Sequence, residues 1–233
     1  MTPNIQTHSY EETVDALAEG LQAVDALLSE LSGSDWEGPT RLQPPDSEAP
    51  PWNVLTLALH YDAFLGMTGA LVGGAQEAPP ARDRASFCIS VADRSLVAPV
   101  VYQFMLDYVQ GHTPATVLDT VRQTAKNTLE VARTNPPDTV GPGWAGALIR
   151  LDEFVATRVG ETLIHGMDLT DALGRPPLSM PKSTPIVAEL LEEIVARMAV
   201  PGRPADLVND DLGFIRAAAG RGDHPDPRFP VVG

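Results

Sequence analysis

The stretch TRVGETLIHGMDL, residues 157–169, reads as the middle of a helix, yet it carries Arg158, Glu161, His165 and Asp168. Their spacings of 3, 4 and 3 are those with which a bundle helix points residues at its partners. Extended outward, the same rhythm meets Leu151 and Phe154 before the stretch and Ala172 after it. The seam is therefore apolar at its ends and ionisable for four consecutive positions in its centre. A buried row of this kind is destabilising unless its members satisfy one another or a ligand.

The rest of the chain supplies helices for that seam to face. Ser9-Tyr10-Glu11-Glu12 has the form of a capping box, and behind it Val14, Leu17, Leu21, Val24, Leu28 and Leu31 repeat at bundle spacing until Ser32-Gly33-Ser34. A Pro-rich loop, TRLQPPDSEAPP at 40–51, is incompatible with helix or central strand. A second helix runs from near Trp52 to Gly73-Gly74 and is apolar on most sides, as a deeply buried helix is. Residues 75–110 give a weaker pattern, with a short helix expected after Pro99.

Thr113-Pro114 is a helix start, N-cap then N1 proline, and Asn135-Pro136-Pro137 a stop. The seam helix is expected over 148–173, closed by Gly174 and Pro176. Thr184-Pro185 opens a fifth helix, and a last short one is expected over 211–220 before the polar tail RGDHPDPRFPVVG. Long amphipathic helices with almost no alternating pattern predict an all-α, up-down four-helix bundle. Its expected extent is 1–175, with 176–233 a short, mostly helical extension and Pro-rich tail.

Composition narrows the function. The chain has 233 residues, 43% of them hydrophobic, and a net charge of −15 spread along its length. That is one domain with a normal core. It disfavours nucleic acid and anionic membrane as partners, since both call for basic clusters. The most apolar stretch, 54–72, is interrupted by His60 and Asp62 and is not read as a membrane span. No signal-peptide pattern stands at the start, and a single Cys88 allows no internal disulfide, so a cytoplasmic location is expected.

On one helix, Glu161 and His165 share a face and can bind one divalent ion. A third ligand must come from a neighbouring helix, and His60, set among Leu57, Ala58 and Leu59, is the candidate. Three protein ligands leave a position open, as catalytic sites do. Asp168 can orient an imidazole, and Arg158 can neutralise a carboxylate or grip an anionic substrate. The plainer readings are a hydrogen-bonded core histidine, a solvated Glu–His pair and a structural arginine. Cys88 carries no mark of a nucleophile.

Two segments resemble a known family. PWNVLTLALH, with Trp52 eight residues before His60, looks like a Trp-led helix ending in a ligand histidine. LDEFVATRVGETLIHGMDLTDALGRP looks like its second signature of Arg, Glu, His and Asp on one helix. Together they resemble the DinB-like superfamily, in particular the mycothiol-dependent maleylpyruvate isomerase N-terminal domain, over roughly residues 8–175. The resemblance implies a divalent metal, zinc first with nickel or manganese as alternatives, held by His60, Glu161 and His165. It also implies mycothiol as the thiol cosubstrate and a small electrophile as substrate. Catalytic support would fall to Arg158 and Asp168.

The reaction expected is thiol transfer. Thiol-dependent cis–trans isomerisation and a non-catalytic metal-binding or regulatory bundle are the alternatives. In the isomerase an α/β domain follows the bundle, whereas the residues after Leu173 here read as helices and tail. The oligomeric state is open, a homodimer among the possibilities.

Overall fold

The computed structural model describes residues 8–43, 49–92, 94–198 and 202–232, with 94–96 described in backbone alone. Helix α1 (Tyr10–Ser29) starts at the Ser9–Glu12 capping box and buries Val14, Leu17, Leu21, Val24 and Leu28. Helix α2 (Val54–Gly73) starts when the Asn53 side chain accepts from the Thr56 N–H. The preceding loop is pinned to it by Thr40 N–H on the Trp52 carbonyl at 2.7 Å and Trp52 N–H on that of Leu42 at 3.0 Å. Helix α3 (Arg84–Val91) and helix α4 (Arg94–Tyr108) follow, then α5 (Pro114–Thr134), capped by Thr113 with Pro114 in its first turn.

A two-stranded antiparallel hairpin, β1 (Val140–Pro142) and β2 (Leu148–Arg150), leads into α6 (Leu151–Ala172). Helices α7 (Ser183–Met198) and α8 (Asp211–Ala218) complete the order. The fold is all-α apart from this hairpin.

Helices α1, α2, α5 and α6 form the bundle, and α6 is buried on nearly every side because α7 covers the face that the bundle leaves open. Helix α2 is long and apolar enough to cross a membrane, but it packs against α5 and α6 as a core helix. Gly20 allows α1 close to α6, since a Cβ there would stand 2.7 Å from the Thr162 methyl. Gly141 is under tighter constraint: a Cβ would lie 2.0 Å from the Leu71 carbonyl oxygen. The hairpin can cross the end of α2 only with a bare backbone.

Helix α3 ties the extension to the bundle through one buried arginine. The Arg84 backbone N–H donates to Glu153 on α6 at 3.0 Å. Its guanidinium donates to Glu193 on α7 at 3.1 Å and also pairs with Glu189. Arg84 is only 2% exposed at its side chain.

Two expectations need correction. Residues 75–110 hold two helices rather than a short one after Pro99: Asp83 caps α3 with a Ser86 capping box, and α4 runs through Pro99. Proline removes one backbone donor and crowds the carbonyl four residues before it, and α4 continues through Pro99 in spite of both. The seam helix begins at Leu151, not 148, because Leu148–Arg150 is claimed by pairing with Val140–Pro142. The Pro-rich loop lies partly outside the described residues, at 44–48.

Candidate active site

Two helices bring the candidates to one wall. His60 on α2 is buried, flanked by the rings of Phe64 at 4.5 Å, His165 at 5.0 Å and Trp52 at 5.1 Å between centroids. Its Nδ1 is buried and has no hydrogen-bond partner. Burial first, and then the charge on His165, pull the His60 pKa down to about 3, so the ring is neutral at pH 7.

His165 stands between two carboxylates of its own helix, Nε2 at 3.2 Å from Glu161 and Nδ1 at 3.0 Å from Asp168. Burial alone would lower its pKa, but hydrogen bonds to Asp168 and Glu161 outweigh that and raise it to about 9. Glu161 is the more open of the pair, at 28% side-chain exposure. Burial works against its charge, yet the His165 hydrogen bond and the Arg158 charge bring its pKa down to about 2.

Asp168 is fully buried, which works against its charge, but the His165 hydrogen bond and then Arg221, which grips it with Nε to Oδ1 at 3.0 Å and Nη2 to Oδ2 at 2.7 Å, hold its pKa well below the usual carboxylate range. Arg221 also donates through Nη1 to the Ala219 carbonyl at 2.6 Å. The sequence offered no signal for this residue: it lies in a tail read as polar surface. Only the packing of α8 on α7, and of α7 on α6, carries the tail to the seam.

Arg158 goes elsewhere. Its Nη1 donates to the Phe64 carbonyl at 2.9 Å, its Nε and Nη2 to the Thr157 hydroxyl, and the guanidinium lies 4.4 Å above the Phe154 ring. It is 2% exposed and 3.9 Å from Glu161, so it acts on the site as a buried charge behind that carboxylate.

His60, Glu161, His165 and Arg221 line one cavity of about 220 Å³. Much of the remaining wall is apolar and comes from α4 and α7, including Val97, Val101, Leu190 and Ile194. Cys88 also lines it, but burial drives its thiol pKa up to about 12, so it is protonated and inert. The extension thus supplies part of the site rather than standing apart from it.

Among the described residues no three His, Cys, Asp or Glu side chains are already gathered around one point for an ion. The donors themselves fit a divalent metal: a neutral imidazole with an unpartnered Nδ1, a second imidazole whose orientation Asp168 fixes, and a partly open carboxylate. A charged His165 bonded to Glu161 occupies the place where that donor set would close.

The fold and site define a helical bundle with a His/Glu/His wall in an apolar cavity. The chain matches the mycothiol maleylpyruvate isomerase N-terminal domain over residues 17–170, and it belongs to that family. Comparison with curated proteins found no match. Two solved structures are similar. One is the crystal structure of the mycothiol-dependent maleylpyruvate isomerase, with TM-score 0.61, 14% identity, and coverage of 93% of this chain and 91% of that one. The other is a histidine-to-alanine mutant of the same isomerase, with TM-score 0.59, 15% identity and the same coverages, 93% and 91%. At such identity the likeness is one of fold. The coverage is larger than the bundle alone.

Proposed function

We propose that the chain is a metal-dependent enzyme that sets the sulfur of a low-molecular-weight thiol, of the mycothiol kind, on an electrophilic carbon. The observation that carries this reading is the convergence of His60, Glu161 and His165 from two helices on one apolar cavity. An open cavity beside those three side chains favours an enzyme over a bundle whose centre is closed.

A divalent metal there would be held by His60, Glu161 and His165, and it would supply charge that favours thiolate over thiol at neutral pH. The chain's own residues do the rest. Asp168, fixed by Arg221, keeps Nδ1 of His165 engaged, so that Nε2 is the nitrogen presented to the cavity. Apolar side chains of α4 and α7 exclude water from around the reacting sulfur. Addition to an activated double bond forms a carbon–sulfur bond and leaves the electron pair on the neighbouring carbonyl. Protonation of that carbanion gives the thioether of a transferase. Rotation and loss of the thiolate give the trans alkene, and the chain that does this is an isomerase, the class named for the similar structure.

The test is incubation of purified protein with thiols and activated alkenes, with products followed by mass spectrometry. Thiol-dependent adduct or isomer above the uncatalysed rate is expected; its absence across thiols and metals would refute the reading.

Metal uptake has its own signature. The His165 pKa of about 9 lies above the usual histidine value, so the folded metal-free protein keeps this proton at pH 7. Binding at Nε2 must expel it, and apparent affinity should therefore climb with pH until about 9 and then level off. Calorimetry of zinc binding in buffers of different ionisation enthalpy should show about one proton released per ion at pH 7. Release of none would mean that His165 is not a ligand.

A further inference from the structure

Helix α6 buries Gly160 and Gly166 in its interior, and their surroundings differ. At Gly166 a Cβ would stand 3.2 Å from the Met180 methyl and 3.4 Å from Leu178 Cδ1, so close packing favours the bare backbone there, as it does at Gly20. Gly160 is not crowded in this way. Beyond its own helix backbone and chain neighbours, a Cβ at Gly160 would meet one heavy atom within 4 Å among the described residues, Leu190 Cδ2 at 3.5 Å. That is an ordinary van der Waals contact, and alanine would fit. The backbone gives no other reason, since Gly160 lies inside the helix and has no positive φ. Glycine in a helix interior costs stability relative to alanine. Neither packing nor conformation accounts for its presence.

A buried position with almost nothing around its Cβ is the wall of a space, and Gly160 lines the cavity of about 220 Å³. The α7 residues of the same cavity, Val187, Leu190 and Leu191, are apolar. Polar atoms come from elsewhere in the wall: His60, whose buried Nδ1 has no partner, and the partly open Glu161 carboxylate. An apolar cavity of ~150 Å³ holds a benzene ring. The space here is larger, and one side of it is bare helix backbone.

We propose that Gly160 is a specificity-determining residue, kept without a side chain to seat an aromatic ring system of a small molecule whose polar end meets His60 and Glu161. The proposal goes beyond the thiol-enzyme reading and requires neither metal nor thiol.

The probe is 2-naphthol, which has an apolar two-ring body and a hydroxyl for the polar end. It is titrated into wild type and Gly160→Ala, both free of metal and thiol, with binding read by saturation-transfer NMR. Wild type should bind it saturably. Gly160→Ala should bind it about tenfold more weakly or worse, the usual effect of one methyl group in a fitted apolar pocket. The thermal midpoint of Gly160→Ala should equal or exceed that of wild type, because the methyl meets no clash and improves the helix. A residue required only by the fold would show the reverse pattern, lower stability with unchanged binding. Gly69→Ala, at an open position on the surface of α2, is the control for the helix gain and should leave binding unchanged. Absence of saturable binding to wild type would overturn the proposal, as would equal affinity in Gly160→Ala or a lowered midpoint in that variant. Weakened binding in Gly69→Ala as well would trace the loss to helix stiffening rather than filled space, and would also overturn it. If the thiol assay fails while these results hold, the chemistry falls and the ring site stands.

Discussion

His165→Ala is expected to remove metal binding and thiol-dependent turnover together, while the helical circular dichroism of the protein stays close to wild type. The side chain is a proposed metal ligand and touches both Glu161 and Asp168, so its loss unmakes the wall of the cavity at its centre. Asp168→Asn should be milder for the metal, because it keeps the shape and leaves every proposed ligand in place while it weakens the hold on Nδ1 and removes the countercharge of Arg221. Losses of ~10–100-fold in metal affinity or activity are usual for such outer partners. Metal content per chain and turnover, measured side by side, separate the two variants. Full metal occupancy in His165→Ala would rule out the proposed donor set.

The second large effect concerns stability. Arg84→Met should destabilise the protein by ~3–5 kcal/mol, since it takes away the cation shared by Glu189 and Glu193 and leaves two carboxylates facing each other. For a chain of this size that corresponds to a fall in Tm of roughly 10 °C. Arg122→Ala is the control. Its pair with Asp25 lies at the surface, 46% and 41% exposed, and pairs of that kind contribute little. Denaturant unfolding of both variants gives the comparison. Equal midpoints would mean that the contact among α3, α6 and α7 is held by apolar packing alone.

The bundle and the seam were legible because both are periodic. Arg158, Glu161, His165 and Asp168 repeat at the spacing of the buried stripe, and Ser9, Thr113 and the Gly174 turn mark ends by local chemistry. What stayed hidden depends on distant parts of the chain. Leu148–Arg150 has no strand pattern of its own and becomes one only because Val140–Pro142 lies opposite. Helix α3 could have been found, since Asp83-Arg84-Ala85-Ser86 is a capping box, but eight residues make a weak periodic signal. Arg221 is the plainest case. Nothing local distinguishes it from other arginines, and its role exists only because the extension folds back over α6. For Arg158 the sequence left open a partner for a carboxylate, a substrate grip and structural support, and which neighbours its guanidinium meets, Thr157, Phe64 and Glu161, depends on the packing of α2 on α6.

The aromatic rings around His60 give the protein an optical consequence. Trp52 lies 5.1 Å from the His60 ring, His60 4.5 Å from Phe64, and Phe64 stacks on Trp144 at 5.8 Å. Two of the chain's three tryptophans are therefore in or next to the row of rings that borders the cavity, while Trp36 is buried away from it in the core. Indole emission depends on the polarity and charge within a few ångströms, so whatever settles against His60 changes the colour and yield of Trp52 before any chemistry occurs. The molecule carries a built-in fluorophore for its own occupancy, and Trp52→Phe would silence it.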